Sequence, residues 1–129
     1  MIVNTLCKEE RLCGERAISN LFDNGHSFFQ TPYKVYWIEI PETGLYPVRF
    51  AVSVPKRRFK RAVKRNLLKR RTREVFRTNR QILSAAISGK LQIHIMLVYA
   101  SDNLLPFKEL EESIKKILQR IARRYVEPV

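Results

Sequence analysis

The chain has 129 residues, of which 45% are hydrophobic and 10% aromatic, enough apolar material for one domain around one core and too much for a disordered chain. Its formal net charge is +13, and no apolar run approaches the ~18 residues that a membrane span needs. The N-terminus lacks a basic-then-apolar export pattern, so a cytoplasmic protein with Cys7 and Cys13 as reduced thiols is expected.

Residues 1–10 carry no clear periodicity and are expected to fray. Leu12, Ile18, Leu21 and Phe22 fit one face of a short helix, ended by "DNGHS" at 23–27, where Gly25 is expected to supply a positive φ. "YKVYWIEI" at 33–40 is rich in aromatic and β-branched residues and reads as a strand, with Lys34, Tyr36 and Ile38 on one face and Tyr33, Val35 and Trp37 on the other. "PETG" at 41–44 reads as a turn, and "VRFAVSV" at 48–54 alternates as a second strand, so the two runs are expected to pair as an antiparallel hairpin.

Pro55 stops that strand, and a basic segment follows that reads as a helix to about Leu83, free of Gly and Pro from Lys56 to Ser88. "LQIHIMLVY" at 91–99 is apolar on both faces and is expected as a central strand. Pro106 opens a last helix with a stripe of Phe107, Leu110, Ile114, Ile117, Leu118, Ile121 and Tyr125. The order is helix, two or three strands, helix, strand, helix: an α+β sandwich in a single domain.

The charge is concentrated. Residues 56–80 hold 13 of the 25 basic residues and one of the 12 acidic ones, a net +12, which leaves +1 for the rest of the chain. At ~100° per residue, Leu68, Thr72, Val75 and Asn79 form one stripe of the helix, with Phe76 and Leu83 beside it. Asn66, Lys69, Arg70, Arg73, Arg77 and Arg80 fall on the opposite side. Like charges at i, i+4 repel, and Glu74 can neutralise only one or two neighbours. A charge run is commonly a solvated face, but one this local and one-signed points to an anionic partner, and arginine forks suit phosphate. A membrane-surface helix is disfavoured because the narrow apolar face is needed for the core.

Among polyanions, DNA is disfavoured: zinc-finger spacing, zipper heptads and a clear helix-turn-helix are all missing. RNA is read by phosphates and by bases stacked on aromatics, for which Phe22, Tyr36 and either Phe28 or Phe29 are candidates, although any one such aromatic is more often a core residue. Tyr36 is favoured, because it shares a strand face with Lys34.

The stretch "RFAVSVPKRRFKRAVKRNLLKRRTREVF", 49–76, resembles the protein subunit of bacterial ribonuclease P. That family carries a strand ending Val-Ser-x-Lys-Lys and then a helix Ala-Val-x-Arg-Asn-Arg-x-Lys-Arg. Here these read Val52-Ser53-Val54-Pro55-Lys56-Arg57 and Ala62-Val63-Lys64-Arg65-Asn66-Leu67-Leu68-Lys69-Arg70. "ERLCGERAISNLFDNG" at 10–25 and the last helix extend the likeness over residues 11–125. Leu67 stands where the family has a second arginine, Lys60 where it usually has glycine, and one extra residue lies between Lys56 and Ala62.

The resemblance implies a subunit of the enzyme that removes the 5′ leader from precursor tRNA, with catalysis and bound Mg²⁺ residing in the RNA subunit. It implies that Lys56, Arg57, Arg65, Asn66, Lys69, Arg70 and Arg73 bind that RNA, to which the helix row adds Arg77. A cleft of Ile18, Phe22, Lys34 and Tyr36 would hold the leader, with Ile18 aliphatic where some relatives stack an aromatic. It also implies a left-handed βαβ crossover, against the usual rule.

Catalytic residues are not expected on this chain. His26 and His94 are too few for an acid–base assignment, and His94 sits in an apolar strand. Cys7 and Cys13 lie outside zinc-ligand spacing, and neither a phosphate-binding glycine loop nor an acidic metal cradle stands out. Two other readings are a ribosomal or other structural RNA-binding protein, which need not carry the whole signature, and a protein-only nuclease, which should carry an acidic metal cluster.

Overall fold

The apolar run near residue 95 forms the middle of a sheet, because a strand that is greasy on both faces is stable only with neighbours on both edges and layers on both sides. The computed structural model describes residues 12, 14–41, 47–87 and 91–126. In chain order its elements are α1 (Glu15–Asn24), β1 (His26–Gln30), β2 (Tyr33–Ile40), β3 (Val48–Ser53), α2 (Ala62–Asn79), α3 (Gln81–Ser84), β4 (Gln92–Tyr99) and α4 (Phe107–Val126). The sheet order is β1-β2-β4-β3, a mixed sheet that makes the domain α+β, as expected. No helix among the described residues is long and apolar enough to cross a membrane.

The expected hairpin of residues 33–40 with 48–54 does not form. β4 inserts between them, antiparallel to β2 and parallel to β3. β2 instead makes its hairpin with β1, the optional third strand, through a turn at Thr31–Pro32 whose peptide bond is cis. Local alternation identifies strands but carries no information on partners, and the buried faces of β4 outcompete the nearer pairing. Beyond Pro41, the expected turn at 41–44 lies outside the described residues, as do Cys7, Cys13 and residues 1–10.

One face of the sheet carries the main core. Tyr33, Val35 and Trp37 of β2, Phe50 of β3 and Ile95 and Leu97 of β4 pack under α2 and α4. Phe50 stacks on Phe76 of α2 with centroids 4.1 Å apart. Tyr33 and Thr72 share a buried hydroxyl–hydroxyl bond of 2.8 Å, and burial pushes the Tyr33 phenol above its ordinary pKa. The other face carries a small cluster of Leu12, Leu21 and Met96, with Ile18 and Tyr36 packed against it, and α1 covers only part of it. The α4 stripe is buried as expected except at its ends: Tyr125 is half-buried, and Phe107 is 39% exposed.

Two boundaries differ from expectation. Gly25 has φ −82°, so no left-handed residue ends α1. The site still needs glycine, because a Cβ there would lie 2.4 Å from the Leu21 carbonyl oxygen and 2.8 Å from that of Trp37. The basic helix does not run unbroken to Leu83. The Thr78 hydroxyl and the Asn79 amide donate back to the carbonyls of Glu74 and Val75, side-chain bonds that compete with the backbone, and α2 stops before the short α3.

Candidate nucleic-acid interface

Helix α2 works as the amphipathic pattern requires. Leu68, Thr72, Val75 and Phe76 are fully buried and fix its rotation. Asn66, Arg70 and Arg73 therefore stand exposed on the outer side, with Lys69 and Arg77 half-buried beside them. Leu67, in place of the family's arginine, is half-buried.

The ridge is less uniform than the sequence implies. Arg77 donates Nε to Glu74 Oε2 at 3.0 Å and Nη2 to Oε1, which occupies one edge of its guanidinium and, through the hydrogen bond first, holds the Glu74 carboxyl below its usual range. Arg65 turns back on the chain: its Nη1 donates to the carbonyls of Phe59 and Lys60, each at 2.8 Å. Its first task is to tie down the loop that precedes α2.

That loop, 56–61, is latched at three points. Phe59 is buried against Tyr99, Arg58 bonds Asp102 at 2.9 Å, and Arg65 holds the carbonyls. Lys56, Arg57, Lys60 and Arg61 are left exposed on the outside. Lys60 and Arg61, with exposed Lys64, are additions to the expected set; their charge was visible in the sequence, but the latch that turns them outward depends on residues far along the chain.

On the sheet's other face, Ile18, Phe22, Lys34 and Tyr36 come together as expected. Phe22 meets Tyr36 edge-on with centroids 4.6 Å apart, and Lys34 Nζ lies 5.9 Å from the Tyr36 ring. Phe22 is 45% exposed, while Ile18 is half-buried in the small cluster and supports the floor. The register adds residues that the sequence did not single out. Phe29, Lys34, Val98 and Ser53 form one row across the sheet, and Ser27, Tyr36, Met96 and Ala51 form the next. Phe29 is 53% exposed on this face, whereas Phe28 packs against the main core, which decides between the two aromatics. The row ends at Ser53, three residues before Lys56, so the cationic loop leaves from the Lys34 end of the cleft.

His94 is buried, with Nε2 2.9 Å from the Gln92 amide oxygen, a structural position. Among the described residues, no three His, Cys, Asp or Glu side chains converge in a way that could hold a metal ion.

The chain matches the Ribonuclease P family over residues 6–122. It is 36% identical over 119 residues to the ribonuclease P protein component of Porphyromonas gingivalis, covering 91% of this chain and 86% of that one. The chain belongs to the ribonuclease P protein family. The corresponding protein of Pseudomonas putida is 31% identical over 125 residues, covering 95% of this chain and 86% of its own length. Two solved structures share the fold. The RNase P protein from Staphylococcus aureus superposes with a TM-score of 0.67 at 20% identity, covering 90% of this chain and 97% of its own. That from Thermotoga maritima gives 0.67 at 24% identity, covering 86% and 96%. Family membership carries a role in ribonuclease P, and with it an RNA partner.

Proposed function

We propose that this chain is the protein subunit that binds the catalytic RNA of ribonuclease P and positions the 5′ leader of precursor tRNA for endonucleolytic removal, in the cytoplasm. Helix α2 and the 56–61 loop take the RNA subunit through Lys56, Arg57, Asn66, Lys69, Arg70 and Arg73, with Arg65 shaping the loop and Arg77 held in reserve by Glu74. The cleft of Phe22, Lys34, Tyr36 and Phe29 takes the single-stranded leader, with its bases on the rings and a phosphate at the lysine. The observation that supports this reading best is the shortage of internal counter-charge. Residues 56–80 hold thirteen cations and one carboxylate, Glu74, and the buried stripe of α2 turns Asn66, Arg70 and Arg73 to the outside.

The chain then contributes charge neutralisation and positioning rather than chemistry. The reaction's Mg²⁺ does not fit the described side chains, which form no carboxylate cradle, and we assign it to the RNA. Reconstitution with a bacterial ribonuclease P RNA at low Mg²⁺ tests the assignment. Leader cleavage should rise only when both parts are present. Cleavage by the protein alone, or no stimulation of the RNA, would refute it.

A further inference from the structure

A second cationic surface lies on α4, outside the α2 ridge. The C-terminal half of α4 carries Lys116, Arg120, Arg123 and Arg124, and residues 113–126 contain no acidic residue. Positions 116, 120 and 124 repeat every four residues, so their side chains share one ridge at steps of ~6 Å. α2 and α4 pack side by side, with α2 also against β3 and α4 also against β1, and β1 and β3 are the opposite edges of the sheet.

Two of these cations sit over aromatic rings of the sheet. The Arg120 guanidinium lies 4.1 Å from the Phe28 ring centroid, and that of Arg124 lies 5.3 Å from Trp37. An arginine held over a ring keeps its charge and its five N–H donors, which suit a phosphate, while the ring limits where the head group can go. Arg120 also joins two adjoining hollows of about 510 and 300 Å³, the first lined by Lys116 and Arg123 and the second by Arg124 and Trp37. Among the described residues, none of the four cations pairs with a carboxylate. Favourable interaction with the helix dipole accounts for cations in the last turn, Arg123 and Arg124, but not for Lys116 and Arg120 before it.

We propose that Lys116, Arg120, Arg123 and Arg124, two of them pre-oriented by Phe28 and Trp37, form a second RNA phosphodiester-binding site, independent of the α2 ridge. The inference rests on the RNA-binding function proposed above. It adds a second point of attachment, so that one RNA, or the RNA subunit and the precursor tRNA together, can be held from both edges of the sheet.

The test measures binding of the full chain to ribonuclease P RNA and, separately, to precursor tRNA over a range of salt. The variants are the triple K116A/R120A/R124A, the double R120K/R124K and Arg70→Ala, each checked by circular dichroism. Three lost phosphate contacts should flatten the log K against log salt slope of at least one RNA by ~2–3 units. The RNA affected identifies the source of the phosphates. The double lysine variant keeps the charge and the fold and should retain most of that slope, with weaker binding from loss of the stacked forks. The triple variant's effect should add to that of Arg70→Ala in log K. An unchanged slope for both RNAs in the triple variant, with Arg70→Ala still flattening it, overturns the second site and spares the α2 assignment. Unchanged slopes in both variants overturn both. Loss of binding to phosphatidylserine vesicles, with RNA binding intact, also overturns the proposal.

Discussion

Removing the Glu74 carboxylate should strengthen RNA binding. Glu74 holds the Nε–Nη2 edge of Arg77 and places the one negative charge within the 56–80 segment. Its lowered pKa means that the clamp persists as pH falls through 4.5, the ordinary glutamate value, and is complete at neutrality. Glu74→Ala frees one guanidinium and deletes one repulsive charge, with little loss of stability because exposed i, i+3 pairs contribute little and alanine favours a helix. One further phosphate contact steepens the log K against log salt slope by ~0.7–0.9. Between 50 and 200 mM salt, that is a further loss of affinity of ~3-fold for the variant relative to wild type. Filter binding to ribonuclease P RNA across that range measures it. Arg77→Ala alone should weaken binding less than Arg70→Ala, because Glu74 already neutralises Arg77 and occupies one of its edges, and the double variant, which also lacks the repulsive carboxylate, should bind no worse than Arg77→Ala. A slope for Glu74→Ala equal to or shallower than wild type would refute the reasoning, as would a loss in Arg77→Ala as large as in Arg70→Ala.

Tyr36→Ala should cost ~1–3 kcal/mol in affinity for precursor tRNA with a leader and leave leaderless tRNA unaffected, by competition binding; equal losses for both would remove the cleft from leader recognition. Tyr33→Phe strands the Thr72 hydroxyl in the core and should cost ~1–3 kcal/mol in urea unfolding, whereas adding Thr72→Val should recover part of that loss. Gly25→Ala forces the backbone to shift between α1 and β2 and should cost ~1–3 kcal/mol in the same assay, with no change in RNA salt slope among molecules that remain folded. The amides of 62–79 should resist hydrogen exchange in RNA-free protein at low salt; exchange at unfolded rates would mean that RNA is needed to form the helix.

How much of this was legible depended on distance along the chain. The buried part of the α2 stripe from Leu68 to Phe76, the faces of β2 and the central place of β4 follow from periods of 3.6 and 2 and came out as read, while the stripe's continuation to Asn79 and Leu83 was cut short by the break before α3. The β2–β3 hairpin failed because pairing is decided by what β4 needs on both edges, a non-local quantity. The cleft residues share a face by alternation within β2, but the choice of Phe29 over Phe28 required the β1 register, and β1 itself is too short and polar to be distinguished from a turn. The charge of the 56–61 loop was plain, while its latch joins Arg58 to Asp102 and Phe59 to Tyr99 across forty or more residues, where no local pattern reaches.

The same comparison of near and far effects explains why the basic helix can fold before its partner arrives. Within α2 the repelling pairs are Arg65–Lys69, Lys69–Arg73, Arg73–Arg77 and Arg70–Arg73. At ~0.2–0.5 kcal/mol each they cost about 1–2 kcal/mol at low salt. Against them, Leu68, Val75 and Phe76 are completely buried, worth ~1.5–3 kcal/mol each. Burial wins by several kcal/mol, so the cations are held in place by apolar neighbours one turn away rather than by counter-ions. The ridge is therefore formed before RNA binds, and little of the gain from neutralising it is spent on ordering the helix.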